Sequence, residues 1–232
     1  METKTRICIA NINCTEAIFS SDGSYTPLPE VSSMIPACRM EKVTSLRHQA
    51  DKQRSLAASL LLSYAMKEYG FPYDTSIQIS SHGKPYIASA NGDDFHFNLS
   101  HSGSYAAIAY GPSPVGIDIQ ENRTISEGVA NRILSEREKE DMSSYSGSEK
   151  KQHQLLQYWC IKESYIKFIG TGLSYDMRKC EIDFDAGTIT DQSGAYPAAH
   201  FAYFDVDDSH GMAVCSEFAA SLSTYSLITS FT

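Results

Sequence analysis

A chain of 232 residues with 42% hydrophobic side chains buries a real core and suits one large domain or two of about 100 residues each. Its formal net charge of −9 argues against a general nucleic-acid binder, because phosphate contacts dominate that affinity; an anionic ligand must be met by a local cluster of Lys and Arg. Six cysteines (Cys8, Cys14, Cys38, Cys160, Cys180 and Cys215) without a C-x-x-C pair argue against a zinc ribbon or thiol redox motif and are expected as buried free thiols of a reducing cytosol.

The N-terminus runs Met-Glu-Thr-Lys-Thr-Arg into Ile7-Cys8-Ile9-Ala10 and lacks the apolar core and cleavage site of a signal peptide. The segment 6–12 reads as a strand and 20–36, rich in Ser, Gly and Pro, as loop. Asp51 to Tyr69 is a helix with an apolar stripe at Leu56, Leu60 and Tyr64, closed by Gly70 with Pro72 just beyond. Leu56 to Met66, the longest mostly apolar run, falls short of the ~20 residues of a membrane span. A soluble cytoplasmic protein, with no membrane and no nucleic-acid partner, is the expectation.

Residues 76–88 hold a short strand, a Ser-Ser-His-Gly turn and Lys84-Pro85-Tyr86-Ile87. Strands are expected at Phe95 to Leu99, Tyr105 to Tyr110 and Val115 to Ile119. Ser126 to Leu134 reads as helix, and Ser135-x-x-Glu138 resembles a capping box opening a second one. Glu149 to Ile169 is a long helix ended by Gly170 and Gly172, and strands follow around 180–184, 199–205 and 211–217. Arg54 and Lys162, each on a long helix, lie 108 positions apart, as do Gly103-Ser-Tyr-Ala-Ala and Gly211-Met-Ala-Val-Cys. That echo predicts a pseudo-dimer of two similar α+β halves, 1–112 and 113–232, with a cleft between them.

Three stretches carry chemistry. Phe97-Asn98-Leu99-Ser100-His101-Ser102-Gly103 places polar donors after a strand, which suits a phosphate but equally an ordinary strand-to-turn junction. Ser100 and His101 point to opposite faces of a strand, which argues against a Ser–His nucleophilic pair. In Val115-Gly116-Ile117-Asp118-Ile119-Gln120, strand periodicity puts Asp118 and Gln120 on one face. Their hard oxygens suit Mg²⁺, while a strand-end Asp capping a turn is the competing reading. In Trp159-Cys160-Ile161-Lys162-Glu163-Ser164-Tyr165-Ile166-Lys167, helical spacing stripes Trp159, Glu163 and Lys167, with Lys162 beside them. An exposed Glu–Lys pair is worth only about 0.3–0.5 kcal/mol, but the only Trp of the chain points to a semi-buried stripe.

Together these stretches resemble the 4′-phosphopantetheinyl transferase family, in its larger type. The matching segments are Asn98-Leu99-Ser100-His101-Ser102, Gly116-Ile117-Asp118-Ile119 and Trp159-x-x-Lys162-Glu163-Ser164-x-x-Lys167, followed by Gly170-x-Gly172-Leu173. Gly83-Lys84-Pro85 and the helix bearing Arg54 match as well. The resemblance implies a pseudo-dimeric α+β fold, in agreement with the echo. It implies transfer of phosphopantetheine from coenzyme A to a serine of an acyl or peptidyl carrier protein, with 3′,5′-ADP leaving and Mg²⁺ bound by Asp118, Glu163 and Gln120. Glu163 is implied as base, Lys167 with Lys162 as cations at the leaving phosphate, and Arg54, Lys84, Ser100, His101, Asp118 and Lys167 as groups around coenzyme A. The family carries Glu where this chain has Gln120, which removes one charge from the metal set. Arg39 and Lys42 are the candidates for the family's lysines ahead of the Arg54 helix. Members of the larger type are typically monomers. A non-catalytic module that binds coenzyme A or a carrier, and a Mg²⁺-dependent phosphodiesterase, are the alternatives.

Overall fold

The computed structural model describes residues 5–19, 27–80, 83–88, 95–145, 147–219, 224–229 and 231. Two antiparallel-rich sheets stack face to face, each backed by one long helix. The first half runs β1 (Arg6–Asn11), α1 (Pro29–Ser32), α2 (Ala37–Ser45), α3 (Gln49–Glu68), β2 (Gln78–Ile79), β3 (Pro85–Ile87), β4 (Phe95–Ser102) and β5 (Tyr105–Gly111). The second runs β6 (Val115–Glu121), α4 (Glu127–Ile133), α5 (Glu136–Ser143), α6 (Ser148–Ile169), β7 (Cys180–Asp183), β8 (Thr188–Asp191), β9 (Ala199–Asp207) and β10 (His210–Ser216). A last strand, β11 (Ser226–Ile228), returns to pair in parallel with β1, so the chain's end belongs to the first sheet.

The sheet orders are β11-β1-β5-β4-β3-β2 and β6-β10-β9-β8-β7. Leaving β11 aside, the second order repeats the first: an opening strand, a long helix, two short edge strands and a closing hairpin. The duplicated α+β architecture is therefore present. The constant spacing of 108 is not: Gln49 opens α3 and Ser148 opens α6, whereas Arg6 and Val115 open the matching strands. Arg54 lies early in α3 and Lys162 well past the middle of α6, so these two are not structural equivalents. Insertions between the strands of each half moved the register.

Apolar periodicity builds the layers. In β4, Phe95, Phe97 and Leu99 face α3 and pack with Leu61, Leu62 and Met66. In β6, Ile117 and Ile119 face Ile7, Ile9, Ala107 and Ala109 of the first sheet. The other face of the second sheet, with Ala213 and Cys215, packs on α6 through Ile161 and Tyr165. The order helix, sheet, sheet, helix follows from burying each sheet on both faces.

Helix ends obey the sequence signals. Ser126 caps α4, Ser135 and Glu138 form a reciprocal capping box on α5, and Gly170 closes α6 in the left-handed conformation. The reading of 20–36 as loop is corrected in part: Pro29–Ser32 is a helical turn, while 20–26 lie outside the described residues, as do two residues of the expected turn, 81–82. The helix α2 and the strands β8 and β11 carry no clear periodic signal in the sequence. Each is short and is fixed by a neighbour, as Val43 of α2 is by Leu56 and Leu60. All six cysteines are free, but Cys38 is exposed and Cys14 half-buried, which corrects the expectation that all six are buried. No helix among the described residues is long and apolar enough to cross a membrane.

Gly116 lets β6 lie directly on α6. A Cβ there would sit 2.0 Å from the Ser164 carbonyl oxygen and 2.4 Å from the Phe168 nitrogen, and backbone cannot step aside. Gly116→Ala is expected to cost about 2–3 kcal/mol by overpacking. Gly128→Ala, in exposed α4 with only Ser126 Oγ at 4.0 Å, should gain roughly 0.5–1 kcal/mol of helix propensity. Thermal unfolding of the two variants checks the contrast, and an unchanged Tm for Gly116→Ala would refute the close approach.

Candidate active site

β6 is an edge strand, paired only with β10 among the described residues. Its outward backbone groups are met by side chains instead of a strand. The N–H groups of Ile117, Ile119 and Glu121 donate to Asn98 Oδ1 at 3.0 Å, Ser100 Oγ at 3.3 Å and Ser102 Oγ at 3.0 Å. These acceptors alternate along β4, so its even face reads onto β6 while its odd face packs on α3. On the carbonyl side, Lys84 Nζ donates to Val115 O at 2.7 Å and Lys167 Nζ to Ile117 O at 3.0 Å. The seam between the halves is thus a polar ladder in which side chains satisfy three N–H groups and two carbonyls of β6.

Asp118 sits in this seam, 2% exposed. Its Oδ1 accepts from Ser100 Oγ at 2.9 Å and from Lys167 Nζ at 2.7 Å, and its Oδ2 accepts from Gln120 Nε2 at 3.0 Å. The one-face reading of Asp118 and Gln120 is correct, but the amide presents its nitrogen to the carboxylate. Its oxygen lies 3.5 Å from Ser102 Oγ, so Gln120 must turn its amide before it can serve a cation.

The stripe Trp159, Glu163, Lys167 is half-buried along its length, while Lys162, Ser164 and Tyr165 beside it are buried. Glu163 shares a shallow pocket of about 470 Å³ with Trp159, Arg132 and Met177. Its carboxylate has no hydrogen-bond partner among the described residues. Burial, and next the charge of Asp118, hold it above the ordinary carboxylate range, with Lys167 opposing. A half-buried carboxylate pushed up beside the charge of Asp118, set among hard oxygen donors, fits a small divalent cation. No cluster of three or more His, Cys, Asp or Glu occurs among the described residues, so any such ion would lean on these two carboxylates and on oxygens from outside the protein.

The other face of β4 carries His101 into a second feature. Its imidazole is pushed down to about 4, first by loss of water and then by Lys42, Arg54 and Arg39. The residue itself is exposed, so the three cations weigh more on it than the loss of water does. Arg39 and Lys42 of α2 are in turn lowered, chiefly by burial. Arg54 donates to Asp51 Oδ1 at 2.6 Å and to Gly103 O at 3.2 Å. Arg39, Lys42, Arg54 and His101 therefore crowd together, with Asp51 as the acid that His101 and Arg54 reach. Like charges held together in this way form a ready anion site.

Two of the expected site residues stand elsewhere. Lys162 is wholly buried and its ammonium is taken up by the Glu138 carboxylate and the carbonyls of Ile133, Met177 and Cys180. Glu138, the capping-box residue of α5, also accepts from the N–H groups of Ser135 and Ile182. Lys162 is corrected from a cation of the reaction to a staple joining α4, α5 and β7 to α6. One step along a helix turns a side chain by about 100°, which takes it off the Glu163 stripe. Lys84 binds Val115 O and, at 3.0 Å, Phe168 O, with its charge 5.8 Å from the Phe168 ring centre. Burial pushes its ammonium down to about 8. It clamps the start of β6 to the end of α6 and does not join Arg54 and His101. Sequence reasoning missed the seam roles of Asn98 and Ser102. The signal was present in Asn98-x-Ser100-x-Ser102, polar residues at strand period on a strand whose alternate residues are apolar.

Comparison with known proteins covers both halves. A family model described as 4′-phosphopantetheinyl transferase superfamily matches residues 114–215, and one described as 4′-phosphopantetheinyl transferase, N-terminal, matches 24–113. A 4′-phosphopantetheinyl transferase of Bacillus subtilis is 30% identical over 186 residues, covering 78% of this chain and 82% of its own length. The 4′-phosphopantetheinyl transferase psf-1 of Bacillus pumilus is 32% identical over 153 residues, 64% of each chain. An L-aminoadipate-semialdehyde dehydrogenase-phosphopantetheinyl transferase of Mus musculus is 30% identical over 156 residues, 62% of this chain and 50% of the relative.

The staple is testable apart from any activity. Lys162→Met leaves the Glu138 carboxylate buried without its partner, and should cost about 3–5 kcal/mol in chemical denaturation. Adding Glu138→Gln should recover part of that loss. Unchanged stability in Lys162→Met would return this lysine to the chemistry.

Proposed function

The chain belongs to the 4′-phosphopantetheinyl transferase superfamily, and from the geometry of its seam we propose how it moves the phosphopantetheine arm of coenzyme A onto a serine hydroxyl of an acyl or peptidyl carrier protein. The observation that carries this reading is the meeting of Asp118, Lys167 and the unpartnered Glu163 carboxylate beside a separate cluster of four basic side chains. A reaction that splits a pyrophosphate needs these parts: a base for the hydroxyl, cations for the leaving phosphate and a grip on the nucleotide.

Glu163 takes the proton of the serine hydroxyl. Its half-buried carboxylate is unencumbered by hydrogen bonds, and burial makes it a stronger base than an exposed glutamate. Lys167, already fixed by three acceptors at Asp118 Oδ1, Ser100 Oγ and Ile117 O, offsets charge on the departing phosphate and has protons to give. Ser100 holds Asp118 in place, and Asp118 holds Lys167. Arg39, Lys42, Arg54 and His101 bind the 3′-phosphate of coenzyme A, with the guanidinium groups suited to bidentate contact. Asp118 and Glu163, with Gln120 after its amide turns, would hold Mg²⁺, which supplies charge neutralisation on the pyrophosphate. Lys84 and Lys162 act on the frame and are left out of the reacting groups.

We take residues 1–112 and 113–232 as the two lobes, with β11 reaching back to the first. Six free thiols suit a reducing compartment such as the cytoplasm. A monomer is sufficient, since the seam that other arrangements would need a second subunit to build lies within one chain.

The deciding assay is mass spectrometry of an apo carrier protein incubated with this protein, Mg²⁺ and coenzyme A. A phosphopantetheine adduct on the carrier is expected, and hydrolysed coenzyme A without an adduct would select a phosphodiesterase instead. Glu163→Gln, equal in size, should abolish the adduct while the unfolding midpoint stays within a few degrees. Full activity in that variant would remove Glu163 from the role of base.

The anion site makes a separate prediction with a definite sign. The cations around His101 hold its imidazole below the ordinary histidine range in the free folded protein, whereas an unfolded histidine titrates near 6.5. Folded stability from this group is therefore fully present above the unfolded value and falls as pH drops through that window. A bound phosphate reverses the local field and favours the imidazolium. At pH about 5.5, calorimetry of 3′,5′-ADP binding in buffers of different ionisation enthalpy should show up to one more proton taken up by the native protein than by His101→Asn. Equal proton uptake would place the nucleotide elsewhere.

A further inference from the structure

The seam has a second contact beyond the Asp118 site, where the hairpin turns of the two halves meet. The turn between β4 and β5 contains Gly103 and Ser104, and the turn between β9 and β10 is flanked by Asp207 and His210. One peptide plane, Gly103–Ser104, is held at both ends. Its carbonyl oxygen accepts from Arg54 Nη1 at 3.2 Å, and its N–H donates to His210 Nε2 at 3.3 Å.

His210 is 5% exposed and its orientation is set from two sides. Nδ1 lies 2.9 Å from Asp207 Oδ1, so Nδ1 carries the proton and Nε2 offers the lone pair that the Ser104 N–H requires. The Tyr105 ring meets the imidazole edge-on with centroids 4.9 Å apart. Gly103 has φ +51, and a Cβ there would lie 2.3 Å from His210 Nε2 and 3.0 Å from the Glu121 carboxyl carbon. Only glycine brings this peptide so close to the ring. Two further bonds pin the turns, Ile12 N–H to Ser104 O at 2.9 Å and Asn122 N–H to Ser209 O at 2.6 Å.

We propose that His210 is a positioning residue for anion recognition: from the second half it fixes the Gly103–Ser104 peptide, and through that carbonyl it aims the Arg54 guanidinium at the cluster of Arg39, Lys42 and His101. The inference rests on the reading that this cluster holds the 3′-phosphate of coenzyme A. Arg54 has two anchors. Asp51, on the same helix and 41% exposed in its side chain, moves with Arg54 and draws it toward solvent. The Gly103 carbonyl belongs to another element and gives the guanidinium its direction. Hydrogen bonds in series from Asp207 through the imidazole and the peptide to Arg54 reinforce one another. The second half thereby contributes to a site whose basic side chains all come from the first.

The test compares coenzyme A with dephospho-coenzyme A, which lacks the 3′-phosphate, as substrates of the full-length protein. The readout is the ratio of their kcat/KM values. Arg54→Ala is expected to lower that ratio by about ten-fold or more, the scale of a hydrogen bond to a charged group. His210→Phe should lower it by about ten-fold through the KM for coenzyme A, with kcat kept. His210→Gln, whose side-chain oxygen can accept from the Ser104 N–H, should restore most of the preference. In an Arg54→Ala background, His210→Phe should add no further loss. Should His210→Phe fail to fold, His210→Asn replaces it, since it can keep the Asp207 bond but falls short of Ser104. A ratio that falls in Arg54→Ala and stays native in the His210 variants overturns the positioning role. Equal losses on both substrates also overturn it, because they report a general structural defect. A ratio unmoved by Arg54→Ala overturns the phosphate reading itself, and the inference with it.

Discussion

The outer edge of β6 is the constraint on which the rest of the structure depends. A buried strand edge must have its N–H and C=O groups satisfied, and here no neighbouring strand among the described residues does so. Asn98, Ser100 and Ser102 supply acceptors to three N–H groups, and Lys84 and Lys167 supply donors to two carbonyls. The two halves are therefore joined by side chain to backbone bonds instead of by a continuous sheet. A continuous sheet would have filled the space in which Asp118 meets Glu163 with a backbone ladder. The side-chain ladder leaves a polar cleft lined by Asp118, Lys167 and Gln120.

The same arrangement explains why one sequence motif does two things. Along β4 the even side chains close the seam and hold Asp118, while the odd face is apolar until His101, which emerges among Arg39, Lys42 and Arg54. A strand four residues further on has turned little, so the carboxylate site and the basic cluster stay on opposite faces of one rigid element. Rigid elements place such groups more accurately than loops do. The close contact of Gly116 with α6 then fixes the distance between Asp118 on the strand and Glu163 and Lys167 on the helix.

Charge is distributed with equal economy of parts. The chain carries a net −9, yet the three cations Arg39, Lys42 and Arg54 stand around His101 on α2, α3 and β4, with Asp51 as the acid beside them. Burial lowers Arg39 and Lys42, and the charge of Arg39 adds to it at Lys42; burial and the charges of Lys42, Arg54 and Arg39 lower His101. A dianionic group would relieve this crowding of charge, so the proposed anion site draws on local charge that the global field opposes. By contrast the Lys162–Glu138 pair is neutral in sum, sealed from water and hydrogen-bonded at every donor, as a buried pair must be to persist.

The sequence by itself determined the periodic and local features: the long helices, the capping box at Ser135 and Glu138, the strands β4 to β6 and β9 to β10, and the shared face of Asp118 and Gln120. These follow from side-chain spacing along one segment, and so they need no knowledge of neighbours. It also marked Glu163 and Lys167 as a half-buried stripe through the lone Trp159. Only the tertiary structure decided what lies across a gap between segments. It set Lys162 in the core and Lys84 on two carbonyls, though both looked like site cations, because the direction of a long side chain depends on which oxygens surround it. It drew Arg39 and Lys42 to His101, and it made acceptors for a strand edge out of Asn98 and Ser102. A burial pattern can be read one residue at a time, but a partner in another half of the chain cannot, since the bond that fixes it exists only after the two sheets have stacked.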